Sequence, residues 1–110
     1  MVNTAASAMP ACDSEGFLRN LADWNETVAA QLALQEGITL TAAHWEVIST
    51  LRSFYEKHKV SPANRALVSL IRKEHGAEKG QSRYLMGLFD GSPAKLSAKI
   101  AGLPKPENCL

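Results

Sequence analysis

The feature that most constrains this chain is its punctuation. Apolar residues recur at helical spacing in short stretches, and glycine or proline interrupts each one. Gly37, Gly76, Gly91 and Gly102 follow such stretches, while Pro62 and Pro93 open new ones. Glycine just past the last periodic residue supplies a left-handed cap, and proline suits a first helical turn. A chain cut in this way has to stack several short helices around one core. Its 110 residues and 45% hydrophobic content suit a single domain over residues 1–110.

The helix signals can be placed. Residues 1–12 are rich in small side chains and lack a period, so they form a variable N-terminal segment, either a loose end or a short β-hairpin. Asp13-Ser14-Glu15-Gly16 has turn composition. Asp23 can cap a first helix opening at Trp24, which places Trp24, Val28 and Leu32 on one face and ends at Gly37. Thr41 caps a second, with Leu40 stapled onto Trp45. Its stripe is His44, Ile48, Leu51 and Tyr55, and it should run to Lys57 or Lys59. Ser61-Pro62 starts a third, with Leu67, Leu70 and Ile71 inward and Gly76 at its end. Residues 76–80 form a flexible loop. A fourth begins near Ser82 and carries Tyr84, Leu85, Leu88 and Phe89. Ser92-Pro93 opens a fifth that runs to about Ile100. The expected fold is mainly α, a small domain of about five helices with a short N-terminal β-hairpin as an option. An extended, mobile C-terminal arm covers residues 103–110.

Several functional classes are disfavoured. The formal net charge is +1, which gives no general case for nucleic acid or a membrane surface. No apolar run approaches the roughly 20 residues that span a bilayer, and Met1 to Ala11 make a poor signal peptide. A cytoplasmic protein with no membrane partner is expected. His44, His58 and His75 are not paired at helical spacing and no C-x-x-C occurs, so no metal site is expected. No phosphate loop or nucleophile–base pair calls for a cofactor. The second and third helices could form a helix-turn-helix regulator, with Arg52, Lys57, Lys59, Arg65, Arg72 and Lys73 as its basic residues. Near-neutral charge makes direct nucleic-acid binding the weaker alternative.

The tail carries the remaining signal. Pro104 and Pro106, at alternate positions, forbid a helix and favour an extended arm. Gly102 would be its hinge, and Cys109 is its next-to-last residue. Free cysteine is usually buried, whereas chain ends are usually exposed. From Gly102 an extended arm could carry the thiol roughly 20 Å. Two readings stay open at this point: an incidental exposed cysteine, or a working thiol delivered to another protein. Chemistry requires the thiolate. Lys105 favours the anion, and Glu107 and the terminal carboxylate of Leu110 oppose it. A partner's pocket, or the surface near Lys95 and Arg65, would then have to activate the sulfur. Cys12 is the only other thiol, and a structural disulfide between the two is not expected in a reducing cytosol.

A set of short motifs then resembles the DsrC/TusE family. They are Gly16-Phe17-Leu18, Asp23-Trp24, Glu36-Gly37-Ile38-Thr39-Leu40-Thr41 with His44-Trp45, Leu51-Arg52-Ser53-Phe54-Tyr55, Pro62 with Arg65, and Tyr84-Leu85 with Leu88-Phe89. The closing block, Pro93-Ala94-Lys95 and Ile100-Ala101-Gly102-Leu103-Pro104-Lys105-Pro106 ending in Cys109, is the most specific. The resemblance covers about residues 13–110. It implies a sulfur-relay carrier, a sulfurtransferase component that takes up sulfur on Cys109 as a persulfide. One branch of the family implies a TusBCD-like donor complex and a tRNA-thiolating acceptor that makes 2-thiouridine. The other serves sulfite reductase or sulfur-oxidation enzymes and needs a second arm cysteine, at the position held here by Ala98.

Overall fold

A computed structural model describes residues 9–107. Among these residues the order is a 3₁₀ turn, Leu21–Asp23, then five helices: α1 (Glu26–Gln35), α2 (Ala42–His58), α3 (Asn64–His75), α4 (Ser82–Phe89) and α5 (Pro93–Ile100). The mainly helical expectation holds. Of the optional N-terminal hairpin, one antiparallel bridge between Cys12 and Leu18 is present among the described residues; positions 1–8 lie outside them. Between the bridge partners sits the expected turn. The Asp13 carboxylate accepts the backbone N–H groups of Glu15 and Phe17 at 2.9 and 3.0 Å. The Phe17 N–H is the main reason that its carboxyl lies below the usual range. The turn thereby delivers Phe17 and Leu18 into the core.

Two helix starts differ from expectation, for one reason: a residue assigned to a cap is engaged elsewhere. α1 opens at Glu26, not Trp24. Asn25 is the cap, its side-chain oxygen accepting the Val28 N–H at 2.9 Å. Asn20 caps the preceding 3₁₀ turn in the same way. Asp23 falls inside that turn, and Trp24 is left extended and outside the helix. Likewise α3 starts at Asn64, three residues after Ser61. Ser61 is buried and donates its hydroxyl to the Pro104 carbonyl at 2.6 Å. Asn64 fastens the start of α3 to the start of α5 by accepting the Ala94 N–H at 2.9 Å.

The other boundaries follow the sequence. Thr41 opens α2, and His44 occupies the position that Glu or Gln takes in the usual capping box. The Thr41 N–H donates to His44 Nδ1 at 3.0 Å, and His44 Nε2 lies 2.8 Å from the Leu88 carbonyl. Those partners assign the ring proton to Nε2. His44 therefore ties α2 to α4 while buried. The 76–80 loop is pinned rather than flexible. Lys79 pairs with Glu46 at 2.8 Å, and Arg72 donates to the Gly80 carbonyl at 3.1 Å. α4 is capped by Asp90, which takes a positive φ of 59° one residue before the expected stop at Gly91.

The core is organised around the short last helix. In α5 Pro93, Ala94, Ser97, Ala98, Lys99 and Ile100 are all buried, and α5 packs on each of the other four helices. Small residues at 94, 97, 98 and 101 permit that close surround. Ile48, Leu51, Leu67 and Leu85 are fully buried, as expected from their stripes. Trp45, Tyr55, Leu70 and Leu88 are only partly buried. No helix among the described residues is long and apolar enough to cross a membrane.

Candidate functional site

The root of the arm is where five of the residues singled out in the sequence meet: Gly102, Pro104, Lys105, Pro106 and Lys95. α5 ends in a Schellman arrangement. The Leu103 N–H donates to the Ala98 carbonyl at 2.9 Å and the Gly102 N–H to the Lys99 carbonyl at 3.1 Å. Gly102 takes the required positive φ of 74°. Two long-range donors satisfy the next carbonyls, which the helix end leaves without a helical partner. The indole N–H of Trp24 donates to the Ile100 carbonyl at 2.9 Å, and Arg52 Nη1 donates to the Ala101 carbonyl at 2.6 Å. The Arg52 guanidinium also lies 3.8 Å above the Trp24 ring, a cation–π stack. Its partial burial lowers its pKa, with Glu56 opposing.

This clamp explains why Trp24 stands outside α1: only an extended backbone there turns the indole toward α5. It also changes the role of Gly102. A Cβ at Gly102 would collide with the Trp24 ring at Cδ1. The residue expected to be a hinge is a buried cap locked under a tryptophan.

Beyond the cap the chain is extended, as the prolines require, but it is docked rather than mobile over its described length. Leu103 and Pro106 are buried. The Pro104 carbonyl is held by Ser61. Lys105 Nζ reaches Glu15, in the N-terminal turn, at 3.0 and 3.2 Å. Lys95 Nζ lies 3.4 Å from the same Glu15 oxygen that Lys105 holds at 3.0 Å. Hydrogen bonding from Lys105 is the main cause that keeps the Glu15 carboxyl below its usual range.

The candidate residues thus separate. Gly102, Pro104, Lys105, Pro106 and Lys95 come together at the arm root. Arg65 is exposed in the first turn of α3 and pairs with none of the described residues. Cys109 lies outside the described residues. Cys12 is a half-buried free thiol whose sulfur sits 3.5 Å from the Pro10 carbonyl. Glu15, Trp24, Arg52 and Ser61 hold the arm root, and the sequence did not single them out for it. Their partners are 75 residues away or more for Glu15 and Trp24, so no local pattern marks them. One clue existed: Asn25 is as good a cap as Asp23, and a start there frees Trp24 from the helix. Among the described residues no three His, Cys, Asp or Glu side chains gather as metal ligands.

The comparisons with known proteins agree with this geometry. A family model described as DsrC like protein matches residues 4–110. Sulfurtransferase TusE of Yersinia pseudotuberculosis is 53% identical over 98 residues, which cover 89% of this chain and 91% of that protein. Among solved structures, DsrC of Allochromatium vinosum superposes with a TM-score of 0.81 at 46% identity, covering 89% of this chain and 88% of that one. The oxidized gamma-subunit of the dissimilatory sulfite reductase (DsrC) from Archaeoglobus fulgidus superposes with a TM-score of 0.79 at 38% identity, covering 92% of each chain. With a family match over nearly its whole length and relatives at this identity, the chain belongs to the DsrC family.

Proposed function

We propose that this protein is a single-thiol sulfur carrier whose working group is Cys109. The observation that carries the reading is the docked arm root. The body holds residues 103–106 in a defined extended run, and Cys109 follows three residues after buried Pro106. An incidental cysteine would need no such arrangement. The name sulfurtransferase, borne by relatives of about this length, supports the same chemistry.

The transfer conserves electrons. The Cys109 thiolate attacks the outer sulfur of a donor persulfide. A new S–S bond forms at Cys109, the donor S–S bond breaks, and the donor leaves as a thiolate. An acceptor thiolate then attacks the outer sulfur held on Cys109, which departs as a thiolate in turn. Glu15 cancels only one of the two charges of Lys95 and Lys105, but Glu107 and the terminal carboxylate oppose the anion from positions nearer Cys109 in the chain, so activation of the thiolate falls to a partner's pocket. Arg65, exposed on α3, is a candidate contact for that partner.

The single-thiol form of the reaction follows from position 98. The two-cysteine branch would need a thiol there, but Ala98 is 1% exposed inside α5 and its carbonyl receives the Leu103 N–H. This supports a relay toward tRNA 2-thiouridine, with a TusBCD-like donor complex and a tRNA-thiolating acceptor, over a sulfite-reductase role. Direct nucleic-acid reading has less support. Arg52 and Arg72, counted among its basic residues, are occupied within the fold. A reducing cytoplasm is the compartment such a thiol requires. Intact-mass analysis after incubation with glutathione persulfide tests the reading. The native protein and Cys12→Ser should gain one sulfur, and Cys109→Ser should gain none. Persistent loading of Cys109→Ser would overturn it.

A further inference from the structure

We propose that Glu15 is a positioning residue for Cys109: its carboxylate, shared by Lys95 and Lys105, latches the arm to the N-terminal turn and sets how far the thiol can reach. The inference rests on the carrier reading for its purpose, but not for its geometry. Three elements converge on this one carboxylate: the 13–16 turn, α5 through Lys95, and the arm through Lys105. The turn itself is rigid, because the Asp13 side chain accepts two of its N–H groups.

Glu15 does more than hold one lysine. Both ammonium groups lie within 3.4 Å of the same Glu15 oxygen. Removing the carboxylate takes away an anion that both cations share, and the weakened attraction lets Lys105, and the arm with it, move off the body. The other anchors of the run are Ser61 on the Pro104 carbonyl and the burial of Pro106. They act on the residues on either side of Lys105, so the latch shares its hold on this run with them.

Chain geometry converts the latch into reach. With residues to Pro106 docked, Cys109 stays within roughly 10 Å of the Pro106 Cα, three residues of extended chain. With the arm undocked back to Gly102, seven residues extend roughly 23 Å. The latched form keeps the thiol close to the body. A partner that takes the arm into a deep site has to open Glu15 from Lys105, and an acidic side chain at its entrance could accept the released lysine.

The test measures distance directly. Spin labels are placed on Cys109 and on a cysteine introduced by Ser69→Cys, an exposed position of α3, in a Cys12→Ser background. Pulsed dipolar spectroscopy then reads the distance distribution. A narrow distribution is expected for the parent, broadening toward the longer reach in Glu15→Gln, in Lys105→Gln and in high salt. Circular dichroism should show both variants folded. A parent already as broad as the variants overturns the latch. So does broadening in Glu15→Gln without broadening in Lys105→Gln, which would assign the effect to the turn. Glutathione persulfide should load Cys109 in all three proteins. Failure of that loading with a narrow parent distribution would defeat the carrier reading and leave the latch standing.

Discussion

Two helix ends in this protein are closed by the same local device and have opposite surroundings. At the end of α1 the Ile38 N–H donates to Ala33 and the Gly37 N–H to Leu34, both at 2.9 Å, with Gly37 at φ 76°. At the end of α5 Gly102 repeats the pattern with φ 74°. A Cβ at Gly37 would meet nothing within 4 Å, whereas at Gly102 it would strike Trp24. The first cap ends a helix. The second is the keystone of a clamp, with Trp24 and Arg52 on the next carbonyls and the arm leaving from it. The motif is a property of local chain geometry. Its importance depends on what the fold brings against it.

The sharpest way to break the comparison is a methyl group at each glycine. Gly102→Ala adds a left-handed strain of about 1–2 kcal/mol to an overpacking cost against Trp24 of about 1–3 kcal/mol. Gly37→Ala should cost only the first. Urea unfolding of the two variants checks this, and equal losses would show that the Trp24 contact yields freely. Removal of residues 103–110 should come next. The mobile arm expected from the sequence would leave the fold intact after that deletion. Buried Leu103 instead predicts a loss of about 1.5–3 kcal/mol, which a melting curve reads. Arg52→Met keeps the aliphatic stem but strips the donor from the Ala101 carbonyl. A loss of about 1–2 kcal/mol is expected, with no change at the α1 end; amide exchange at Gly102 and Gly37 separates the two.

The smallest effect is that of acid. The Glu15 carboxyl is held low chiefly by Lys105 and Asp13 chiefly by the Phe17 N–H. A depressed carboxylate contributes stability above the range where the unfolded chain protonates, and loses it as pH falls through the folded value. Both groups are solvent-exposed, so the effect on melting temperature should be slight. It should be absent near neutrality and should develop as pH falls through the usual carboxylate range and below it. An Asp13→Asn, Glu15→Gln protein should show a flatter profile there.

Sequence by itself determined the helices, because helical period and caps are local. Thr41 opening α2, Ser92-Pro93 opening α5 and the closing glycines at 37, 76 and 102 all act within a few residues of themselves. It also marked the arm and its thiol, since alternate prolines dictate extended backbone wherever they occur. Only the tertiary structure decided what the arm does. Ser61 looked like a cap and became an arm anchor, Trp24 looked like a helix face and became a clamp, and Glu15 looked like a turn residue and became the meeting point of two lysines. Each of these roles depends on a partner at least 43 residues away. Such partners are brought together only when the core around α5 closes, and burial and charge pairing at that distance leave no periodic trace along the chain.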